Sequence, residues 1–115
     1  MTQNELESRK SRGESFIVAN DWQYLGKLTS NIYDLESILN NYGLYGSPFS
    51  STSINNKYGV YGSPYSSLSP YNAYTSTPPV IYLRGTRCGF LSVNQFLFGS
   101  VNPNHIAEWM RFNGL

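Results

Sequence analysis

Two consecutive stretches of sixteen residues decide the organisation of this chain: SILNNYGLYGSPFSST at 37–52 and SINNKYGVYGSPYSSL at 53–68. Most of their positions are identical, and a third, decaying copy begins with SPYNAY at 69–74. Similarity at a fixed offset is the signature of a structural repeat. Because disordered chains are usually poor in aromatic residues and this repeat is rich in tyrosine, we expect the repeat to be ordered.

Serine and glycine at fixed positions predict that each copy is built from tight turns. Ser37 and Ser53 suit the N-cap position of a short helical turn. Gly43 and Gly59 suit the left-handed residue that ends such a turn, and the Ser-Pro dipeptide of each copy can begin another. We therefore expect two tight turns per copy, joined by glycine.

The apolar residues of the repeat are expected to separate into two groups. Ile38 and Ile54 would face inward, with Pro70 replacing them in the third copy. The aromatic side chains would form a packed layer with many hydrogen bonds at its edge, because a buried tyrosine hydroxyl needs a partner. The members of this predicted layer are Tyr42, Tyr45, Phe49, Tyr58, Tyr61 and Tyr65.

The sequence on either side of the repeat predicts two β-hairpins. FIVANDWQYLGKLT at 16–29 and VIYLRGTRCGFLS at 80–92 each place a polar turn between two β-prone runs. An offset of sixty-three residues aligns Gly26 with Gly89, and we expect both glycines to mark a bulge or a close crossing. Since isolated hairpins are marginally stable, the two should pair into one small antiparallel sheet.

The predicted fold is a single α+β domain behind a polar N-terminus. Residues 1–14 are expected to be a tail or a short helix, and their few apolar residues favour the tail. The domain, residues 15–115, would consist of a hairpin at 15–36, an irregular turn-rich Tyr/Gly repeat layer at 37–79, a hairpin at 80–101 and a helix at 102–113. The helix is expected because Asn102 can cap it, Pro103 suits its first position, and three apolar residues share one face: Ile106, Trp109 and Met110.

Composition limits the classes of partner. The formal net charge is +1, and between Ser37 and Leu83 the only charged residue is Lys57. Nucleic-acid binding needs a basic track that this chain lacks, and no apolar run is long enough for a membrane span.

A single cysteine, Cys88, excludes an intrachain disulfide, and the polar start has no apolar signal segment, so we expect a cytoplasmic protein.

Two pairs of residues carry side chains that can take part in catalysis or bind a cation. Cys88 and His105 could serve as nucleophile and base, but no acid lies at a diagnostic position. Asp34 and Glu36 are too few carboxylates for a cation site, and capping of the following turn explains them better. The sequence therefore predicts no catalytic residue, no metal site and no cofactor.

A protein-interaction or structural module without enzymatic activity is the leading functional hypothesis, with a protein as the expected partner. Glycan or peptide binding on the same surface is the alternative, a Cys/His hydrolase is a remote one, and a homo-oligomer stays open. The surface would consist of repeat tyrosines that remain exposed, and the candidates are Tyr42, Tyr45, Tyr58, Tyr61, Tyr65 and Tyr71.

The combination of YLGKL at 24–28, Asn-x-Tyr-Asp at 31–34 and the Asn-x-Tyr-Gly-x-Tyr-Gly-Ser-Pro-Tyr-Ser repeats resembles a group of uncharacterised bacterial hypothetical proteins. The resemblance covers residues 18–102. It implies no activity, cofactor or catalytic residue, because none is assigned to that group. Some of the group resemble exported proteins, whereas the start of this chain lacks a recognisable signal segment.

Overall fold

The computed structural model describes residues 1–115 and contains one four-stranded antiparallel sheet with two α-helices. The elements, in chain order, are α1 (Gln3–Ser11), β1 (Phe16–Val18), β2 (Tyr24–Lys27), β3 (Val80–Leu83), β4 (Thr86–Phe90) and α2 (Ile106–Phe112), the last preceded by a 3₁₀ turn at Pro103–His105. The predicted α+β class and C-terminal helix are confirmed, and Asn102 caps the 3₁₀ turn by accepting a hydrogen bond from the Asn104 N–H.

The two predicted hairpins form and pair with each other. The strand order is β2-β1-β3-β4, so β1 of the first hairpin lies against β3 of the second, with Ile17 opposite Ile81. Each hairpin alone would be marginal, and this central pairing gives the four strands a common buried face.

Gly26 and Gly89 occupy equivalent places at the register shifts of their hairpins. Both have positive φ, +121° and +155°. A Cβ on Gly26 would lie 2.7 Å from Tyr45 Cβ, and one on Gly89 would lie 2.6 Å from the Gly99 carbonyl oxygen. The predicted bulge and the predicted close crossing therefore occur together, because the chain that leaves each hairpin folds back across its own glycine.

The first face of the sheet carries the main core. Residues from the strands, the repeat and α2 meet there and are almost completely removed from water. They include Ile17, Leu25 and Ile81 of the sheet, Ile38 and Ile54 of the repeat, and Ile106 and Met110 of α2. Each such fully buried side chain stabilises the fold by about 1.5–3 kcal/mol relative to exposure.

The second face of the sheet is aromatic and is partly covered by α1. Phe16, Val18 and Tyr24 pack there against Leu6, the one buried residue of α1. Phe16 also stacks on Tyr82 with ring centroids 4.9 Å apart.

The preference for a tail at residues 1–14 was wrong, since residues 3–11 form α1. Thr2 caps it by accepting a hydrogen bond from the Glu5 N–H. The guanidinium of Arg9 lies 3.9 Å from the centroid of the Tyr24 ring. A single buried apolar side chain is thus enough to hold α1 on the sheet, because the cation–π contact of Arg9 adds to the burial of Leu6.

Neither α1 nor α2 combines the length and apolar composition that crossing a lipid bilayer requires.

Candidate functional site

Residues 31–77, named here the turn segment, form an unbroken series of hydrogen-bonded turns. In most of them a carbonyl oxygen accepts from the N–H three residues later, and that later residue begins the next turn. The Asn40 N–H donates to the Ser37 oxygen at 3.1 Å, and the Gly43 N–H donates to the Asn40 oxygen at 3.1 Å. The segment thereby hydrogen-bonds one backbone N–H in about every three residues without forming a helix or strand.

One wider turn in each copy explains the period of sixteen. The Gly43 oxygen accepts from the N–H groups of both Gly46 and Ser47, at 3.4 and 3.0 Å, so the next turn begins four residues on. Four three-residue turns and one four-residue turn complete a copy. The prediction of two turns per copy was therefore wrong. The prediction that Gly43 and Gly59 are left-handed was also wrong, because both have negative φ. The chain does not end a helix there but continues into another turn.

A short polar side chain stabilises every turn of the segment except the two that begin at Gly43 and Gly59. Its oxygen accepts a hydrogen bond from the N–H two residues later, as in Asx and Ser/Thr turns. The residues that do so are Asn31, Asp34, Ser37, Asn40, Ser47, Ser50, Ser53, Asn56, Ser63, Ser66, Ser69, Asn72 and Thr75.

The inward-facing residues of the repeat are those predicted from the sequence. Ile38, Ile54 and Pro70 are each buried against the core. The copies are also joined to each other, because the Asn55 Nδ2 donates to the carbonyl oxygens of Ile38 and Gly46, both at 3.0 Å. Equivalent residues of successive copies therefore recur on the outside of one continuous body.

The predicted packed aromatic layer is wrong for four of its six members. Tyr42, Phe49, Tyr58 and Tyr65 are 90–97% exposed. Each is the third residue of a turn that begins with a polar residue, and in these turns its ring lies in water, whereas the isoleucines and several serines of the repeat are buried. The polar first residue of the turn thus fixes the backbone of an aromatic residue whose ring stays in water.

Six exposed rings fall into two series with a spacing of sixteen residues. The first aromatic series is Tyr42, Tyr58 and Tyr74, exposed by 97, 93 and 93%. The second aromatic series is Tyr33, Phe49 and Tyr65, exposed by 84, 90 and 91%. Tyr33 and Tyr74 were missed from the sequence, although extending the period by one step in either direction finds both.

The other three candidate tyrosines are partly buried and contribute to the fold: Tyr45, Tyr61 and Tyr71. Tyr45 is half-buried and meets the Tyr24 ring edge-on at 5.0 Å, and the Tyr61 hydroxyl donates to the Asp21 carboxylate at 2.7 Å. Burial raises the pKa of Tyr45 and of Tyr71. Burial, together with the hydrogen bond to Asp21, raises the pKa of Tyr61 to about 12.

Cys88 and His105 form no hydrogen-bonded pair, and Asp34 has structural partners. No hydrogen bond joins Cys88, on β4, to His105, whose Nδ1 lies 3.9 Å from a Glu108 oxygen. Partial burial of the thiol raises the pKa of Cys88, away from the reactive thiolate. Asp34 accepts from the Glu36 N–H and from Lys27 Nζ, both at 2.9 Å, which is the capping role expected of it. No three His, Cys, Asp or Glu side chains converge as metal ligands would.

Comparison with protein-family models, with curated proteins and with solved structures finds no match to this chain. The geometry of the turn segment is therefore the basis on which a function can be proposed.

Proposed function

We propose that this protein is a non-enzymatic binding module that recognises a protein partner through the two exposed aromatic series of the turn segment. The observation that carries the proposal is that all six rings are at least 84% exposed and recur at a fixed interval. Large exposed apolar surfaces on a folded protein mark interaction sites, since a ring left in water does not gain the free energy that its burial would give.

The chemistry of the turn segment suits protein recognition. Its surface combines tyrosine with serine, asparagine and glycine, the composition that antibody binding loops use. Tyrosine supplies a large contact area with few rotatable bonds, and the small polar residues supply hydrogen bonds. Because Lys57 is the only charge between Ser37 and Leu83, the partner would be chosen by shape and hydrogen bonding rather than by charge.

The backbone under the rings is organised before any partner binds. The Tyr42 N–H is fixed by Asn40 Oδ1 at 2.9 Å, and the Tyr58 N–H by Asn56 Oδ1 at 3.1 Å. Binding would then order side-chain rotamers but not the loop itself. A smaller ordering cost leaves more of the contact energy as affinity.

Glycan binding is the second candidate, and one observation favours it. None of the six exposed rings takes part in the aromatic pairs of the structure, which involve only Phe16, Tyr24, Tyr45 and Tyr82. Each exposed ring therefore has free faces, which stacking on a sugar requires, and neighbouring hydroxyls that could bond to it.

The test replaces the first aromatic series and compares it with an aliphatic control from the same segment. The triple variant Y42S/Y58S/Y74S and the control L35S/L44S/V60S are used as baits in extracts of the source organism, with quantitative mass spectrometry. We expect a partner that wild type and control capture equally and that the aromatic variant loses at least about tenfold, since truncating a few aromatic anchors typically removes most of an interface's energy.

Both variants should fold, because all six replaced side chains are exposed and substitutions at such sites usually change stability by about 0.5 kcal/mol or less. Equal capture by wild type and aromatic variant would contradict the proposal. A fluorescence response to members of a sugar panel, lost in the aromatic variant but kept in the control, would instead support the glycan alternative.

A further inference from the structure

On the second sheet face, the side chains of β3 and β4 are less buried than those of β1 and β2. The nine-residue helix packs Leu6 against β1 and β2 and brings Lys10 Nζ to 6.0 Å from the centroid of the Tyr82 ring on β3, whereas no residue of β4 belongs to this cluster. The pairing of these strands sets Val80 opposite Phe90 and Tyr82 opposite Arg87, so all four side chains belong to this face. Together with Leu6 and Val18 they line a groove of about 300 Å³.

Trp22, at the rim of this groove, has a backbone that suits glycine better than tryptophan. It lies in the loop between β1 and β2, where its N–H donates to the Ala19 oxygen and the Ala19 N–H donates to the Gln23 oxygen, both at 2.9 Å. Hairpin loops of this length use a left-handed last residue, usually glycine or asparagine. Trp22 has φ of +71° there, and its ring lines the groove.

Arg87 supplies the only charge in the lining of the groove. Its side chain takes part in no hydrogen bond and no ion pair of the structure, and its guanidinium carbon lies 5.5 Å from the centroid of the Phe90 ring. The groove therefore presents a free cation beside three aromatic rings, those of Trp22, Tyr82 and Phe90. A ligand complementary to it has an aromatic body and an anionic end.

We propose that this groove binds a small molecule that carries an aromatic ring and a carboxylate. The ring would lie on the apolar floor between Val80 and Phe90, and the carboxylate would pair with Arg87. A volume of about 300 Å³ is at the lower end of ligand pockets and suits a compound of one ring and a short chain. The groove opens on the sheet face opposite the main core, and none of the six rings of the aromatic series lines it.

Calorimetric titration with phenylbutyrate and with its neutral amide tests the proposal on the full chain. We expect the wild type to bind the acid about threefold to tenfold more tightly than the amide, a range set by a charge-assisted hydrogen bond to an exposed arginine. R87Q should lose that preference. R111Q should keep it, because Arg111 is an exposed residue of α2, which packs on the other face of the sheet.

Two further variants separate loss of the site from loss of the fold. W22G removes one aromatic wall and relieves the left-handed tryptophan, so we expect a higher melting temperature together with weaker binding of phenylbutyrate. S76W fills the groove from an exposed position in its lining and should also weaken binding. Absence of binding to wild type at millimolar phenylbutyrate, or equal affinity of wild type and R87Q, would overturn the proposal.

Discussion

Three asparagines of the turn segment each hydrogen-bond to two turns at once: Asn40, Asn56 and Asn72. Their Oδ1 atoms accept from the N–H of the tyrosine two residues later. Their Nδ2 atoms donate to the carbonyl oxygen six residues earlier, at 3.1–3.2 Å. Because these two bonds replace the pairing that a helix or strand would give, the order of the segment should depend on such side chains individually.

Replacing Asn40 should therefore cost far more than replacing its neighbour. Asn40→Ala removes both side-chain bonds, so the Tyr42 N–H loses its partner and the Asp34 oxygen keeps only its bond from the Ser37 N–H. We expect a loss of about 2 kcal/mol in the free energy of unfolding, about 1 kcal/mol for each bond. Asn41→Ala is the matched control, since Asn41 is exposed and its side chain makes no hydrogen bond; its effect should stay within about 0.5 kcal/mol. Urea denaturation measures both, and equal losses would contradict the proposed role of Asn40.

At the scale of the element, α1 depends on contacts beyond its own sequence. Arg9 pairs with Glu14 at 2.7 Å and with Glu36 at 3.3 Å, and the Tyr24 hydroxyl donates to Glu36 at 2.7 Å. Burial alone would raise the pKa of Glu14, but hydrogen bonds from Arg12 and Arg9 lower it overall. These links tie the helix to both β2 and the start of the turn segment.

Leu6→Ala should release α1 while leaving the sheet folded. Leu6 is only 8% exposed, and removing such a leucine costs about 2 kcal/mol or more, which exceeds what an isolated nine-residue helix can supply. Hydrogen exchange should accelerate at residues 3–11 but change little in β1 and β3. Leu35→Ala serves as the control, because Leu35 is 75% exposed. Unchanged exchange in the helix would show that the charged contacts alone hold α1.

At the scale of the whole molecule, an ion pair joins the sheet to the turn segment. Lys27 Nζ lies 2.9 Å from Asp34 Oδ2, with side-chain exposures of 41 and 24%. The hydrogen bond from Lys27, together with the one from the Glu36 N–H, lowers the pKa of Asp34. A lowered pKa in the folded state adds stability above the unfolded value of about 3.9, which is lost as the pH falls through the folded value.

Asp34→Asn should thus reduce stability at pH 7 by less than about 1 kcal/mol, because the pair is partly exposed and screened. The amide can still accept from the Glu36 N–H, so the variant removes mainly the charge. The difference between variant and wild type should begin to shrink below about pH 4 and disappear once the pH is below the lowered folded-state pKa, and added salt should reduce it at pH 7. Urea midpoints measured across pH test this, and a difference that persists at pH 2 would rule out the charge as its origin.

Local interactions made much of this architecture predictable. The sequence by itself determined the period, the two hairpins, the crossings at Gly26 and Gly89, the inward isoleucines and the C-terminal helix. Each of these has a signature in the local sequence, such as a serine whose oxygen accepts from the N–H two positions on, or a glycine where a Cβ would not fit. The number of turns per copy was missed because the serines within Ser-Pro-x-Ser-Ser-x begin further turns of the same kind.

Only the tertiary structure decided which surfaces are covered. A tyrosine has the same hydrophobicity whether another element lies over it or not, so its sequence position did not reveal that Tyr42 and Tyr58 stay in water. The docking of α1 and the open groove beside Arg87 were hidden for the same reason. Coverage depends on where distant segments pack, and that is settled by the fold as a whole rather than by any stretch of its sequence.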